Sequence, residues 1–381
     1  MKIGMCLFEI TKIGGISTVE ENLEYGLKEN GHNVSHFYLS PNKKKLGESP
    51  IPFIKNVLGY MTDDMVNNTI NVLSDFDVLI FDPPCPTITR SFSSTNWQKI
   101  YKSEKLTDKK IIISHDPYLR KYYPWILDVK DRIFGVGAIQ NKGYTAFSKY
   151  FSNIVITNHF IDTSDIGLYP NLKEDLVISP HQFKTWKHID LFIRSVPHIK
   201  YNIEVYNGGI EHCYMSGEKR KEKYRNKKGE WIWDNAIDHG MEYLGFVDDI
   251  LTPFKRSKCI VDLSVGEHGS ILSKQGSYKS LNYVPIEAMK YASIPIVRDY
   301  SLLDDIITED NVLLVDEKDI VKSTASLVNE AINNYDSYSD MIDRNFDVVK
   351  KNFDRKSNAK KLLSLLDGKP KHNDAIQSSL F

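Results

Sequence analysis

Residues Tyr243–Asp299 read YLGFVDDILTPFKRSKCIVDLSVGEHGS, then ILSKQGSY, then KSLNYVPIEAMKYASIPIVRD. Leu244–Val247 is expected to be a strand running into a turn, followed by a short helix carrying Phe254. Cys259–Leu263 is an apolar strand, and Gly266 and Gly269 mark the loop after it. The next helix has Pro285 near its start and Glu287 in its first turn, and Ile294–Arg298 is another strand. This order is that of a parallel α/β sheet. A carboxylate at a helix start after a loop can accept hydrogen bonds from ribose hydroxyls, and exposed loop amides suit a diphosphate. The competing reading is an ordinary αβ unit whose Glu caps its helix.

The chain of 381 residues is long enough for two domains, each with its own core, and 41% hydrophobic residues supply the apolar material for two packed sheets. No apolar run approaches the roughly 20 residues needed to span a bilayer. The start, MKIGMCLFEI, reads as a strand rather than a signal sequence, since no basic leader or cleavage site follows. Cys6, Cys85, Cys213 and Cys259 are far apart, with no metal spacing, and read as reduced cytosolic thiols, Cys6 and Cys259 within strands. A cytoplasmic location is therefore expected. The net charge of −1 gives no global attraction to nucleic acid, so such a partner would have to meet a local patch.

Outward from the opening stretch, strands and helices alternate along the first half. Lys2–Phe8 is the first strand, Ser17 or Thr18 can cap a helix through Lys28, Gly31 closes it, and Asn33–Leu39 is the second strand. Asp77–Phe81 and Lys110–Ser114 follow as buried strands, and the pattern returns weakly over Thr145–Asn158. The polar stretch Asp162–Asp175 contains the expected linker. A second alternation begins with the strand Leu176–Ser179, a helix over Trp186–Ser195 and the strand Asn202–Tyr206. From Val315 onward the pattern is helical, with a last helix near Ser357–Leu366. The expected division is 1–170, 171–350, a helix at 351–367 returning to the first domain, and a flexible tail at 368–381.

Gly14-Gly15 separate the first strand from the first helix, where a backbone without side chains can approach a ligand. The spacing is not GxGxxG, which disfavours NAD. His115-Asp116 follow the apolar Ile111–Ile113 and so fall at the C-terminal edge of a sheet, where α/β ligands collect. An imidazole there can donate to a sugar hydroxyl or move a proton near neutral pH; a loop-capping His-Asp pair is the alternative. Lys219–Lys228 lies in a charged insertion with seven Lys/Arg against two acids between Glu218 and Lys228. Lys219, Arg220, Lys221 and Lys223 could grip phosphates, or could be a solvated face.

These segments together resemble a GT-B glycosyltransferase of the family 4 type, whose loop-and-helix signature ends in P-x-E-A-M, here Pro285–Met289. The resemblance implies an α/β fold of two Rossmann-like domains facing a cleft, and retaining transfer from a nucleotide sugar, most simply a UDP-sugar, with no cofactor or catalytic metal. Gly14, Gly15 and Val19 match the family's G-G-x-x-x-V loop, and IIISHD, Ile111–Asp116, matches its HD segment. Gly15, His115 and Asp116 would then be catalytic. Gly14, Lys184, Lys187, Gly269, Lys274, Lys279 and Glu287 would hold the donor. Val177–Asp190 resembles the entry to the second domain, where an Arg and a Lys clamp the diphosphate. Lys187 matches the Lys, but the Arg position falls on Gln182, leaving His181, Lys184, Lys274 or Lys279 to supply the second positive charge. The family's E-x7-E keeps only its second acid, Glu287, because Lys279 occupies the first position.

A basic residue at that first position is also a feature of the T-even phage DNA α-glucosyltransferases, which the chain resembles most nearly, in fragments across both domains. That likeness implies 5-hydroxymethylcytosine in duplex DNA as acceptor. The alternatives are a cell-surface saccharide or lipid-carrier acceptor, or an inactive adaptor that binds sugar nucleotide or DNA. The last residues, Gln377, Leu380 and Phe381, resemble the Q-x-x-L-F peptide that inserts into a sliding clamp. Asp75-Phe-Asp77 matches the metal-binding D-x-D of the other major glycosyltransferase fold, but it directly precedes a buried strand and is read as polar flanking.

Overall fold

A computed structural model describes residues 1–7, 15–38, 63–82, 94–114, 124–168, 170–181, 187–206, 232–245, 247, 249–265, 283–299 and 306–368. The chain divides into two compact units: Met1–Asp162, joined by the chain from Phe353 onward, and Thr163–Asn352.

The first unit is built on β1 (Lys2–Leu7), β2 (Asn33–Tyr38), β3 (Val78–Phe81), β4 (Lys110–Ser114), β5 (Gly135–Ala138) and β6 (Ile154–Ile156). All pair in parallel in the order β2-β1-β3-β4-β5-β6. A parallel sheet needs helical crossovers that cover both faces, so its central strands read as continuous apolar runs; every residue of β3 and β4 is buried. The helices are α1 (Gly15–Glu29), α2 (Asp63–Leu73), α3 (Ser94–Lys102), α4 (Pro124–Leu127) and α5 (Asn141–Phe147). Val66 and Ile70 of α2, Tyr101 of α3, Ile126 and Phe147 pack with Cys6, Phe81, Ile112 and Val136 into one core. Because α1 begins at Gly15, Ser17 and Thr18 lie inside it and cannot cap it. Gly31 ends it in the left-handed region at φ 81°, where a Cβ would strain the backbone. The carboxylate of Asp77 is structural, since its Oδ2 accepts the Lys2 amide at 2.7 Å and so fastens the start of β1 to the edge of β3.

The first unit is completed from the far end of the chain. Ile161 and Asp354 bridge in parallel, with Ile161 N–H donating to Phe353 O and Arg355 N–H to Ile161 O. The helix α12 (Arg355–Leu363; α6–α11 belong to the second unit) then lies along α1 and close to β6. Arg355 donates to Glu29 Oε1 from Nε at 2.9 Å and places Nη1 3.1 Å from Asp162 Oδ2. Two glycine positions permit this approach. A Cβ on Gly26 of α1 would fall 2.3 Å from Arg355 O, and one on Gly137 of β5 would fall 2.4 Å from Leu362 Cδ1.

The second unit has β7 (Glu174–Ser179), β8 (Asn202–Tyr206), β9 (Met241–Gly245), β10 (Ser257–Asp262), β11 (Ile294–Val297) and β12 (Leu313–Leu314). They form a parallel sheet in the order β12-β11-β10-β7-β8-β9. Its helices are α6 (Ile189–Ser195), α7 (Ile232–Asp238), α8 (Leu251–Arg256), α9 (Tyr283–Lys290), α10 (Ile320–Asn333) and α11 (Ser339–Phe353). Strand side chains alternate between faces, and the cores divide accordingly. Val177, Val205, Cys259, Val261 and Ile296 pack with α6, α7 and α10, whereas Leu176, Ile178, Tyr206 and Ile260 pack with Phe254 of α8 and Ala288 of α9.

At the N-terminal edge of this sheet, Lys173 Nζ donates to Ser257 O at 2.7 Å, Ser293 Oγ at 2.9 Å and Phe254 O at 3.2 Å. Burial pushes its pKa down to about 7. The unfolded chain therefore holds more protons than the folded one from about pH 7 up to the ordinary lysine range, and stability must rise with pH across that window. Urea unfolding at pH 7 and pH 9 should show a rise of up to about 1.4 kcal/mol per pH unit, absent in Lys173→Met. Parallel profiles for the two proteins would show that Lys173 stays charged throughout.

Candidate functional site

Ligands of open α/β sheets collect at the C-terminal edge where strand order reverses. In the second unit β7 is followed by β8 and β9 on one side and by β10, β11 and β12 on the other. The reversal therefore lies between β7 and β10. Each strand ends there in a polar residue: β7 closes on Ser179, with His181 two residues beyond, and β10 closes on Asp262. His181 and Asp262 are 3% and 1% exposed, and His181 Nε2 stands 3.1 Å from Asp262 Oδ1. The Ser264 amide also donates to Asp262 Oδ1, at 2.9 Å.

Burial alone would push the Asp262 carboxyl up. The charge and contact of His181, the charge of Lys187 and the hydrogen bond from Ser264 together outweigh it and hold Asp262 below the usual carboxylate range. Removing one partner of such a buried pair leaves an uncompensated charge, which typically costs about 3–5 kcal/mol.

Lys187 is half-buried and precedes α6, which begins only at Ile189; the expected helix from Trp186 is therefore shorter, and Lys187 is not on it. His188, immediately after, has φ 46° in the left-handed region, a conformation that concentrates at functional sites. Lys187 and the His181–Asp262 pair thus sit on the two sides of residues 182–186, at the same sheet edge.

Glu287 is buried at 8% exposure on α9, which runs from the end of β10 back to the start of β11 and packs on both strands. Its peptide carbonyl accepts the Tyr291 amide at 3.2 Å. Among the described residues α9 starts at Tyr283, so Glu287 stands in the second turn rather than the first. Pro285 sits in the first turn, where its missing N–H breaks no helix bond.

In the first unit the reversal lies between β1 and β3. Gly15 opens α1 on that edge, and the Asp82 amide, just past β3, donates to Cys6 O at 3.1 Å. β4 reaches the same edge at the buried Ser114. Gly14, His115, Asp116, Gln182, Lys184, Gly269, Lys274 and Lys279 lie outside the described residues, as do Lys219, Arg220, Lys221, Lys223, Gln377, Leu380 and Phe381. Of the sequence-derived donor residues, Lys187 and Glu287 are thus placed, both in the second unit. Asp262 was missed. Its signal was a charged residue closing the apolar run Cys259–Val261, where a purely structural strand would continue apolar.

Residues 163–348 match the model of the family described as glycosyl transferases group 1. Among solved structures, an α-glucosyltransferase in complex with UDP and a 13-mer DNA containing a central A:G mismatch is similar with a TM-score of 0.68 at 12% identity, over 97% of this chain and 100% of that one. HepE from Anabaena in complex with UDP gives 0.63 at 12% identity, over 96% and 100%. An α-glucosyltransferase in complex with UDP-glucose and DNA containing an abasic site gives 0.63 at 12% identity, over 97% and 100%. No curated protein sequence matches the chain significantly.

The α/β fold of two parallel sheets is the GT-B fold. The stretch that matches the group 1 glycosyl transferase model, residues 163–348, lies within the second unit, Thr163–Asn352, and carries the enzyme class, a glycosyltransferase. Among the described residues no helix is long and apolar enough to cross a membrane.

Proposed function

We propose that the protein is a retaining glycosyltransferase that moves a sugar from a UDP-sugar to a hydroxyl, and that this hydroxyl is carried by 5-hydroxymethylcytosine in duplex phage DNA. The observation that carries the donor half is the gathering of charged groups at the strand-order reversal of the second unit, with Lys187 beside the buried His181–Asp262 pair. In the reaction the bond between the anomeric carbon and the β-phosphate oxygen breaks with its electron pair going to that oxygen. The acceptor oxygen bonds the same carbon and its proton is released to the departing diphosphate. Charge therefore grows on the diphosphate, where Lys187, loop amides and Lys274 or Lys279 oppose it, while Glu287 holds the ribose. The Gly14-Gly15 loop lies over donor and acceptor, and His115 with Asp116 contacts the transferred sugar.

The DNA half is supported by the 0.68 TM-score, over 97% of the chain, to an α-glucosyltransferase complexed with UDP and DNA, and by the basic residues Lys219, Arg220, Lys221 and Lys223. A saccharide acceptor is the second reading, favoured by the similarity to HepE in complex with UDP and glucose, with a TM-score of 0.64 at 14% identity. A cytoplasmic location suits either. The tail residues Gln377, Leu380 and Phe381 would tether the enzyme to a sliding clamp during replication.

Two measurements test the two halves. UDP should raise the melting temperature, because a ligand that binds only the folded state stabilises it by mass action. Glu287→Ala should weaken UDP binding by about 1.5–3 kcal/mol, the range for a hydrogen bond to a charged group; equal affinity would remove Glu287 from the site. With a panel of radiolabelled UDP-sugars, duplex DNA bearing 5-hydroxymethylcytosine should take up label and plain DNA should not, since unmodified cytosine has no such hydroxyl. Label appearing on a saccharide and never on DNA would overturn the acceptor assignment.

A further inference from the structure

The diphosphate clamp expected from the sequence lacks its arginine, since Gln182 stands where that residue would fall. We propose that His181 takes its place as the second group holding the donor diphosphate, and that Asp262 is the positioning residue that orients it. This inference rests on the donor reading given above.

Three observations converge on the pair. The first is topological: Asp262 is the last residue of β10 and His181 stands two residues past the end of β7, the two strands that flank the strand-order reversal, so both lie at the edge where nucleotides collect. The second is geometric: Nε2 lies 3.1 Å from Asp262 Oδ1 with both side chains almost wholly buried. A buried carboxylate this close to one ring nitrogen restricts the orientation of the ring, the way a second group positions a working histidine. A phosphate bound at the ring's other nitrogen would complete an Asp262–His181–phosphate chain.

The third observation is cost. A buried charge pair adds little stability compared with apolar side chains of similar size, and the neighbouring strand positions Ile178, Ile260 and Val261 are apolar and buried. Packing alone would be served by continuing that pattern. The positive charge of Lys187 also acts on Asp262, so a cation stands near the same pair.

The test compares UDP with uridine, which differ only in the diphosphate. Binding of UDP is measured by titration calorimetry and that of uridine by ligand-detected NMR, on the full chain. His181→Ala should lower UDP affinity about 10- to 100-fold while leaving uridine affinity unchanged, and His181→Arg should retain most of the UDP affinity. Asp262→Asn should weaken UDP binding and spare uridine binding, which also reports that the variant is folded.

Unchanged UDP affinity in His181→Ala, or an equal loss of UDP and uridine affinity in both variants, would overturn the assignment and leave the pair a structural tie between β7 and β10. Wild-type protein that binds neither UDP nor uridine would instead overturn the donor reading itself.

Discussion

Replacing His115 by alanine should lower sugar transfer about 10²–10⁴-fold, the usual loss when a positioned proton-transfer group is removed, with little change in UDP affinity. The chain position dictates this split. β4 is buried from Lys110 to Ser114, His115 follows Ser114 in the chain, and ligands of parallel sheets collect at the C-terminal ends of the strands. Lys187 and Glu287, the residues proposed to hold the donor, belong to the other unit. Steady-state kinetics and UDP calorimetry on the same variant separate the two effects. A rate near that of the wild type would reduce His115 to a loop cap, and a matching loss of UDP affinity would move it to the nucleotide.

Gly26→Val should destabilise the protein by about 3 kcal/mol, the upper end of the range for overpacking, although the same change in an exposed helix would be mildly favourable. The sign is decided by one distance. The first added carbon would lie 2.3 Å from the carbonyl oxygen of Arg355 and 2.8 Å from its carbonyl carbon. Backbone at the start of a helix cannot yield as the tip of a side chain can, so α1 and α12 must separate and the Arg355–Glu29 contact opens. Denaturant unfolding gives the magnitude. Proteolysis should detach the segment after Phe353 in the variant and spare it in the wild type; equal resistance with unchanged stability would show that α12 can shift without loss.

Strands with a strong apolar or alternating pattern of their own are legible: Lys110–Ser114, buried throughout, and Asn202–Tyr206, with Ile203, Val205 and Tyr206 buried, are found as read. β5 was not legible, and Gly135 and Gly137 explain why. Glycine weakens strand propensity, and the space a side chain would fill is taken at Gly135 by Asn153 and Leu365 and at Gly137 by Leu362, the two leucines coming from the far end of the chain. No local pattern can report a neighbour more than 200 positions away, as Asn153 donating to Leu365 O makes plain. β12, two residues long, offers no period to detect. The site divides in the same way. Glu287 and Lys187 stand out through motif spacing, whereas Asp262 comes beside His181 because β10 pairs with β7, a pairing that joins segments separated along the chain by both β8 and β9.

The return of α12 to α1 and β5 also fixes the order in which the two units can be finished during synthesis. Thr163–Asn352 is contiguous, so the second unit has all its strands once its own last helix has emerged. The first unit, although translated earlier, waits for Phe353 and the residues after it. At about 5–20 residues per second, that wait lasts roughly tens of seconds, during which the glycine face of β5 and the Gly26 face of α1 lack their cover. The part of the chain made first is therefore completed last, and a nascent protein stalled before Arg355 would present an uncovered apolar surface to chaperones although its second unit was already finished.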